Sequence, residues 1–203
     1  MKQWAAQQDD WLLVDQDECW FSRFAQPAMH AFAEPDDNLR LVERTPATDE
    51  PDKAIACFGA VSQLTQERWL YFAGGQPNSD STILFLKALL SVAAEKAKRV
   101  LVIIWDRASW HSKALIVRQQ AEKLGLTLIQ LPSYSPDLNP IEGLWKWMRE
   151  ELTQHHCYQY LFQLERACLD FIDRINLDPD AIIARLWPKF ELDPTYEKVL
   201  LSF

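Results

Sequence analysis

Three carboxylates, far apart along the chain, stand where ligands for a divalent cation could converge. Asp17 closes an apolar run, Trp11-Leu12-Leu13-Val14, which reads as a buried strand stopping at Asp15-Gln16-Asp17-Glu18. Asp106 closes a second run, Val100–Trp105, whose unbroken apolar character is that of a strand covered on both faces. Glu142 lies near the start of a helix opened by Pro140. If the two strands are neighbours, their terminal carboxylates come together, and a helix crossing the strand ends supplies the third. Such a group needs protons or metal to offset its repulsion. Hard oxygen donors favour Mg²⁺ or Mn²⁺. Two ions about 3.5–4 Å apart can activate water on one side and stabilise a leaving oxygen on the other, the chemistry of phosphodiester cleavage.

Each acid also has a plainer reading. Asp17 could be an ordinary strand-to-loop aspartate, and Asp106 could cap a turn. Asn139-Pro140-Ile141-Glu142 has the form of a capping box, with Asn139 as the cap. The helix pattern adds information: Ile141, Leu144, Trp145, Met148 and Leu152 follow a buried stripe, while Glu142, Lys146 and Arg149 share an adjacent face. A carboxylate flanked by two cations suits a metal ligand whose substrate is a phosphate chain, and equally a solvated, salt-bridged surface.

The elements that must position these residues are legible in outline. Residues 54–61 and 68–72 are β-prone and joined by 62–67 as a hairpin. Ser79 or Asp80 caps a predicted helix running to about Lys98, and a helix from about His111 stops at Gly125. Residues 126–131 form a further strand, and helices are predicted over 140–153, 158–175 and 181–187. On the helix over 158–175, Leu161, Phe162, Cys168, Leu169 and Ile172 mark the apolar stripe. Early hairpin strands followed by strand–helix–strand crossovers give an α/β fold, a mixed sheet with helices on both faces. Ligands of such sheets sit outside the strand ends.

With 48% hydrophobic and 25% charged residues, composition excludes a disordered or fibrous chain, and 5 Gly against 11 Pro argues against a glycine-rich phosphate-binding loop. No apolar run is long enough to span a membrane and the start is not a secretory signal, so a cytoplasmic location without membrane association is expected. Cys19, Cys57, Cys157 and Cys168 read as reduced, mostly buried thiols, and His155-His156-Cys157 as a polar turn between helices. The net charge of -8 hides an asymmetry: residues 1–84 carry -8, residues 85–149 carry +5 and residues 150–203 carry -5. A basic middle third, holding two of the three acids, suits a phosphate-rich partner. Trp105 and Trp145 read as core, whereas Trp110 and Trp147 are candidates for stacking on bases.

Three blocks carry a resemblance to a known family: Leu13-Val14-Asp15-Gln16-Asp17-Glu18-Cys19-Trp20-Phe21, Val102-Ile103-Ile104-Trp105-Asp106-Arg107-Ala108-Ser109-Trp110-His111 and Ser133-Tyr134-Ser135-Pro136-Asp137-Leu138-Asn139-Pro140-Ile141-Glu142-Gly143-Leu144-Trp145. The chain resembles the DDE transposases of the Tc/mariner superfamily, in their bacterial insertion-sequence branch. Thirty-five residues separate Asp106 from Glu142, close to the spacing usual in that family.

The resemblance implies a ribonuclease-H-like mixed five-stranded sheet flanked by helices, as one catalytic domain over 1–203, with its core at about 11–153 and C-terminal helices at about 154–203. It implies Asp17 rather than Asp15 as first metal ligand, Asp106 as second and Glu142 as third, holding two Mg²⁺ or Mn²⁺ ions. His111 would sit near the phosphate, Asn139 would cap its helix and Trp145 would pack in the core. Arg107, His111, Lys113, Lys146 and Arg149 are the candidate DNA contacts. The implied activity is cleavage of a DNA strand by water, followed by attack of the freed 3′-hydroxyl on target DNA, at TA dinucleotides. Implied partners are transposon ends and target DNA, a homodimer assembled on DNA, and a separate helix-turn-helix segment, since nothing here resembles one. The location would be the nucleoid when DNA is bound.

Two rivals are carried forward. One is a catalytically silent, truncated transposase that only binds DNA or partners. The other is a haloacid-dehalogenase-like phosphotransferase, in which Asp15 of Leu12-Leu13-Val14-Asp15-Gln16-Asp17 would be the nucleophile.

Overall fold

The computed structural model describes residues 9–25, 43–44, 47–62, 67–73, 77–106, 115–132 and 139–178. In chain order they form β1 (Trp11–Ser22), β2 (Ala54–Ser62), β3 (Arg68–Ala73), α1 (Ser79–Glu95), β4 (Val100–Trp105), α2 (Leu115–Lys123), β5 (Thr127–Gln130), α3 (Ile141–Met148) with a π-helical turn Arg149–Thr153, and α4 (Leu161–Asn176). The strands make one sheet in the order β3-β2-β1-β4-β5. β1, β2 and β3 pair antiparallel, while β4 and β5 run parallel to β1. This is the expected mixed five-stranded sheet, flanked by four helices among the described residues.

Side chains alternate between the faces of a strand, and each face of this sheet is apolar for that reason. Leu12 and Val14 of β1 join Leu101 and Ile103 of β4 under α1 and α2, against Phe85, Leu89 and Val117. Cys19 and Phe21 face the other way, under α3 and α4, against Ile141, Leu144, Trp145, Cys168 and Phe171. Asp15 and Asp17 share the parity of Cys19 and Phe21, so both carboxylates face the α3–α4 layer.

Several element boundaries differ from the sequence reading, each for a local reason. β1 does not stop at its acids but runs on to Ser22, because β2 pairs with it as far as Ser22↔Ala54 after β4 has ended. Asn78, rather than Ser79 or Asp80, caps α1: its side chain accepts from the backbone N–H groups of Asp80 and Ser81, and the Ser81 side chain accepts from the Asn78 N–H. Asn139 does not cap α3; its Nδ2 donates instead to the Gln16 carbonyl of β1, 3.4 Å away. α3 leaves regular α geometry at Arg149, where the Gln154 N–H reaches back five residues to the Arg149 carbonyl at 2.8 Å.

α4 begins at Leu161 and buries Leu164, Cys168, Phe171, Ile172 and Ile175, leaving the predicted stripe residues Phe162 and Leu169 exposed. The 111–124 helix is seen as α2, ending before Gly125 at φ +70°, and residues 111–114 and the 181–187 helix lie outside the described residues. Cys19, Cys57 and Cys168 are buried free thiols, and Cys157 is a partly exposed one. Trp105 and Trp145 are core, as read, but so is Trp147, edge-on to Phe171 with centroids 5.2 Å apart; Trp110 lies outside the described residues.

Gly59 on β2 is the tightest point of this packing. It pairs with Asp17, and a Cβ there would lie 2.3 Å from the Trp145 ring and 2.9 Å from Ile141 Cδ1. Because that ring is itself buried, the clash has nowhere to relax. Gly59→Ala is expected to lower stability by about 1–3 kcal/mol, the usual cost of overpacking, read as a drop in the urea midpoint with an unchanged slope.

Candidate active site

β1 and β4 pair in parallel from Trp11↔Val100 to Asp15↔Ile104, and there the ladder ends. Two further steps in the same register would set Asp17 opposite Asp106, the first residue after β4. Asp106 has the parity of Val102 and Ile104, so it projects to the face that carries Asp17. β1 continues past this point with only β2 beside it, which leaves an open corner in the sheet at these two acids. Asp15, one pleat earlier, is fully buried, whereas Asp17 is partly exposed. A nucleophile must meet its substrate, so the phosphotransferase reading that relies on Asp15 fails on access. Glu18 lies on the opposite face, where its Oε1 accepts from Gln16 Nε2 at 2.9 Å.

α3 crosses this corner. Its first turn holds Glu142, exposed, with its N–H bonded to the Asn139 carbonyl at 3.1 Å. One turn later Trp145 Nε1 donates to Asp17 Oδ2 at 3.1 Å. At the end of the helix Arg149 Nη2 donates to the buried Cys19 Sγ at 2.7 Å. Cys19 follows Asp17 by one pleat, so this contact anchors a guanidinium beside the acids. Burial pushes the Cys19 thiol up to about 12, against the opposing pull of Arg149. The exposed Lys146 ammonium stands 4.0 Å from Glu150.

Burial pushes the Asp17 carboxyl up to about 8, and the charges of Glu18, Glu142 and Asp106 push the same way, opposed by a backbone hydrogen bond at Glu18. Asp17 thus feels both other predicted acids, Glu142 more than Asp106. Among the described residues no three His, Cys, Asp or Glu side chains are arranged as a closed set of metal ligands. Like charges alone hold carboxylates apart, so a closed set requires a cation between them. The donor types suit one: three carboxylates from β1, the end of β4 and α3, with Asp17 pushed towards its neutral form by burial first and by its acidic neighbours second. Such all-oxygen donors suit Mg²⁺ or Mn²⁺.

Of the other predicted site residues, Lys146 and Arg149 share the outer ridge of α3 with Glu142, while Arg107, His111 and Lys113 lie outside the described residues. Sequence reasoning missed Gly59, the hydrogen-bonding role of Trp145 and the Arg149–Cys19 contact. Two signals were available. Trp145 follows Glu142 by three residues, which makes them neighbours on a helix, and an isolated glycine in a β-prone run marks a close approach.

The family model described as DDE superfamily endonuclease matches residues 13–165. An uncharacterised protein of Sinorhizobium fredii, y4pE/y4sA, is 33% identical over 58 residues, covering 29% of this chain and 40% of that protein. The insertion element IS630 uncharacterised 39 kDa protein of Shigella sonnei is 27% identical over 104 residues, covering 50% of this chain and 30% of that protein. The chain therefore spans less than half the length of either relative. The Mos1 transposase, in a paired-end complex with the left transposon end, superposes with a TM-score of 0.62 at 17% identity, over 79% of this chain and 47% of that one. The mariner Mos1 paired-end complex with Mg gives 0.62 at 16% identity, over 94% and 55%. At these identities the likeness establishes the ribonuclease-H-like fold.

The raised Asp17 carboxyl has a consequence for stability. An unfolded chain releases this proton near 3.8, the folded chain near 8, so between those values the folded state holds more protons. The contribution of Asp17 to stability should fall as pH rises from about 4 to about 8 and level off above. With EDTA present, urea midpoints across that range should decline more steeply for the wild-type chain than for Asp17→Asn; parallel profiles would contradict the shift.

Proposed function

The chain belongs to the DDE superfamily endonuclease family, with a catalytic domain of the Tc/mariner transposase type, and from that premise we propose that it cuts and joins DNA strands using divalent metal. The observation that supports the proposal is the parallel β1–β4 register, which ends two residues before Asp17 and Asp106, together with the charges of Glu142 and Asp106 felt at Asp17.

In this reading Asp17, Asp106 and Glu142 hold two Mg²⁺ or Mn²⁺ ions. When bound, these ions supply the positive charge that activates a water or hydroxyl oxygen and stabilises the oxygen leaving phosphorus. The protein's own part is placement. β1 and β4 fix the two aspartates, and α3 brings Glu142 over them. The partial burial of Asp17 lowers the local dielectric, which strengthens its hold on a cation. Asp17 must give up its proton to bind metal, so metal affinity rises with pH through about 8.

The substrate class is duplex DNA, first at transposon ends and then at a target. Hydrolysis of one phosphodiester leaves a 5′-phosphate and a 3′-hydroxyl, and transesterification joins that hydroxyl to target phosphorus as the target strand's own 3′-oxygen leaves. Arg149, anchored through Cys19, and Lys146 on the same ridge meet phosphates along the strand. Arg107, His111 and Lys113 are proposed as further contacts from the segment after Asp106. Binding through such cations weakens as salt rises. A homodimer on DNA and a helix-turn-helix partner segment belong to the same proposal, as does a preference for TA targets.

The test is nicking of supercoiled DNA and joining of a pre-cut end with Mg²⁺ or Mn²⁺. Asp17→Asn, Asp106→Asn and Glu142→Gln should each reduce turnover by at least about a thousandfold, roughly 4 kcal/mol of barrier, while far-ultraviolet dichroism stays unchanged. DNA binding by a folded wild-type chain that nicks nothing under either metal would instead favour the silent binding module.

A further inference from the structure

We propose that Trp145 is a positioning residue for Asp17, so that one turn of α3 both delivers Glu142 and sets the orientation of its partner carboxylate. This rests on the metal-dependent reading above and extends it to residues outside the three acids.

The indole N–H can only donate, and it donates to Asp17 Oδ2 at 3.1 Å. The Asp17 carboxylate therefore cannot turn about its last side-chain bond without giving up that partner. The ring in turn has little freedom. It is 1% exposed, meets Phe21 edge-on with centroids 6.0 Å apart, and presses on the β2 backbone where any Cβ on Gly59 would overlap it. Gly59 is also the residue paired with Asp17 across the β1–β2 ladder. Strand pairing, missing side chain and indole thus form one connected device.

Its purpose follows from charge. Carboxylates gathered for one cation repel one another until it binds, and a freely rotating Asp17 carboxylate would swing its oxygens away. The indole holds Oδ2 in place against that repulsion. Because Trp145 lies three residues after Glu142, the two side chains ride the same turn of α3 and move together. The separation between Asp17 and Glu142 is then set by helix geometry rather than by two independent loops. Partners that orient a metal-ligating carboxylate typically change metal affinity by about 10–100-fold.

The experiment uses the full chain with Mn²⁺ alone as probe, followed by calorimetric titration. Trp145→Phe keeps an aromatic ring and removes the N–H; it should weaken Mn²⁺ binding by about tenfold or more while the chain still unfolds cooperatively. Gly59→Ala, which displaces the ring, should weaken it in the same direction. A second readout needs no metal: the Trp145 indole ¹H–¹⁵N resonance should move upfield and exchange faster with water in Asp17→Ala. Wild-type Mn²⁺ affinity in Trp145→Phe would overturn the proposal, as would an indole resonance indifferent to Asp17→Ala. Failure of the wild-type chain to bind Mn²⁺ would overturn the metal-dependent reading instead, and the indole resonance would then decide the positioning role by itself.

Discussion

Like-charged carboxylates cannot be brought to one corner of a protein unless something holds them there. Here backbone register sets where two of them follow the end of the β1–β4 ladder. β4 stops at Trp105 while β1, its parallel neighbour, runs seven residues past their last pair, from Asp15 to Ser22. The step between a strand that ends and one that continues falls at Asp17 and Asp106, two residues past the last pair of the ladder. Burial pushes the Asp17 carboxyl up to about 8, and the charges of Glu18, Glu142 and Asp106 add to it. Carboxylates gathered in this way favour a cation between them, which is the basis of the proposed metal-dependent function.

The two layers of helices have different duties. α1 and α2 fill one face of the sheet with apolar side chains and give it rigidity. α3 does the same on the other face with Ile141, Leu144, Trp145 and Met148, and its remaining ridge carries Glu142, Lys146 and Arg149. A helix of eight residues and the Arg149 that follows it thus carry both a buried stripe and a charged ridge. The π-helical turn after it lies where the Arg149 side chain leaves for Cys19, in keeping with the tendency of such turns to accompany functional sites.

How legible this was depended on the kind of signal. β4 and its trailing Asp106 could be read because an unbroken apolar run has few alternative explanations, and α3 could be read from its buried stripe. Asp15, Gln16, Asp17 and Glu18 look like the end of a strand, yet the antiparallel pairing of β1 with β2 runs straight through them. Asn139 has the composition of a cap, yet the nearby Gln16 carbonyl claims its amide, a tertiary choice that no local pattern encodes. Phe162 and Leu169 follow helical spacing but miss the buried side of α4, whose rotation is set by Leu164, Phe171 and Ile175. Gly59 acquires meaning only once Trp145 is seen lying against it.

The central claim is that Asp17, Asp106 and Glu142 serve one metal centre. Anomalous diffraction from crystals of the full chain grown with Mn²⁺ addresses it directly. The account predicts a strong peak at the end of β4, within ligand distance of Asp17 and Asp106 oxygens, with Glu142 drawn towards the same centre. Strong Mn²⁺ peaks elsewhere, with none between the two aspartates, would contradict it.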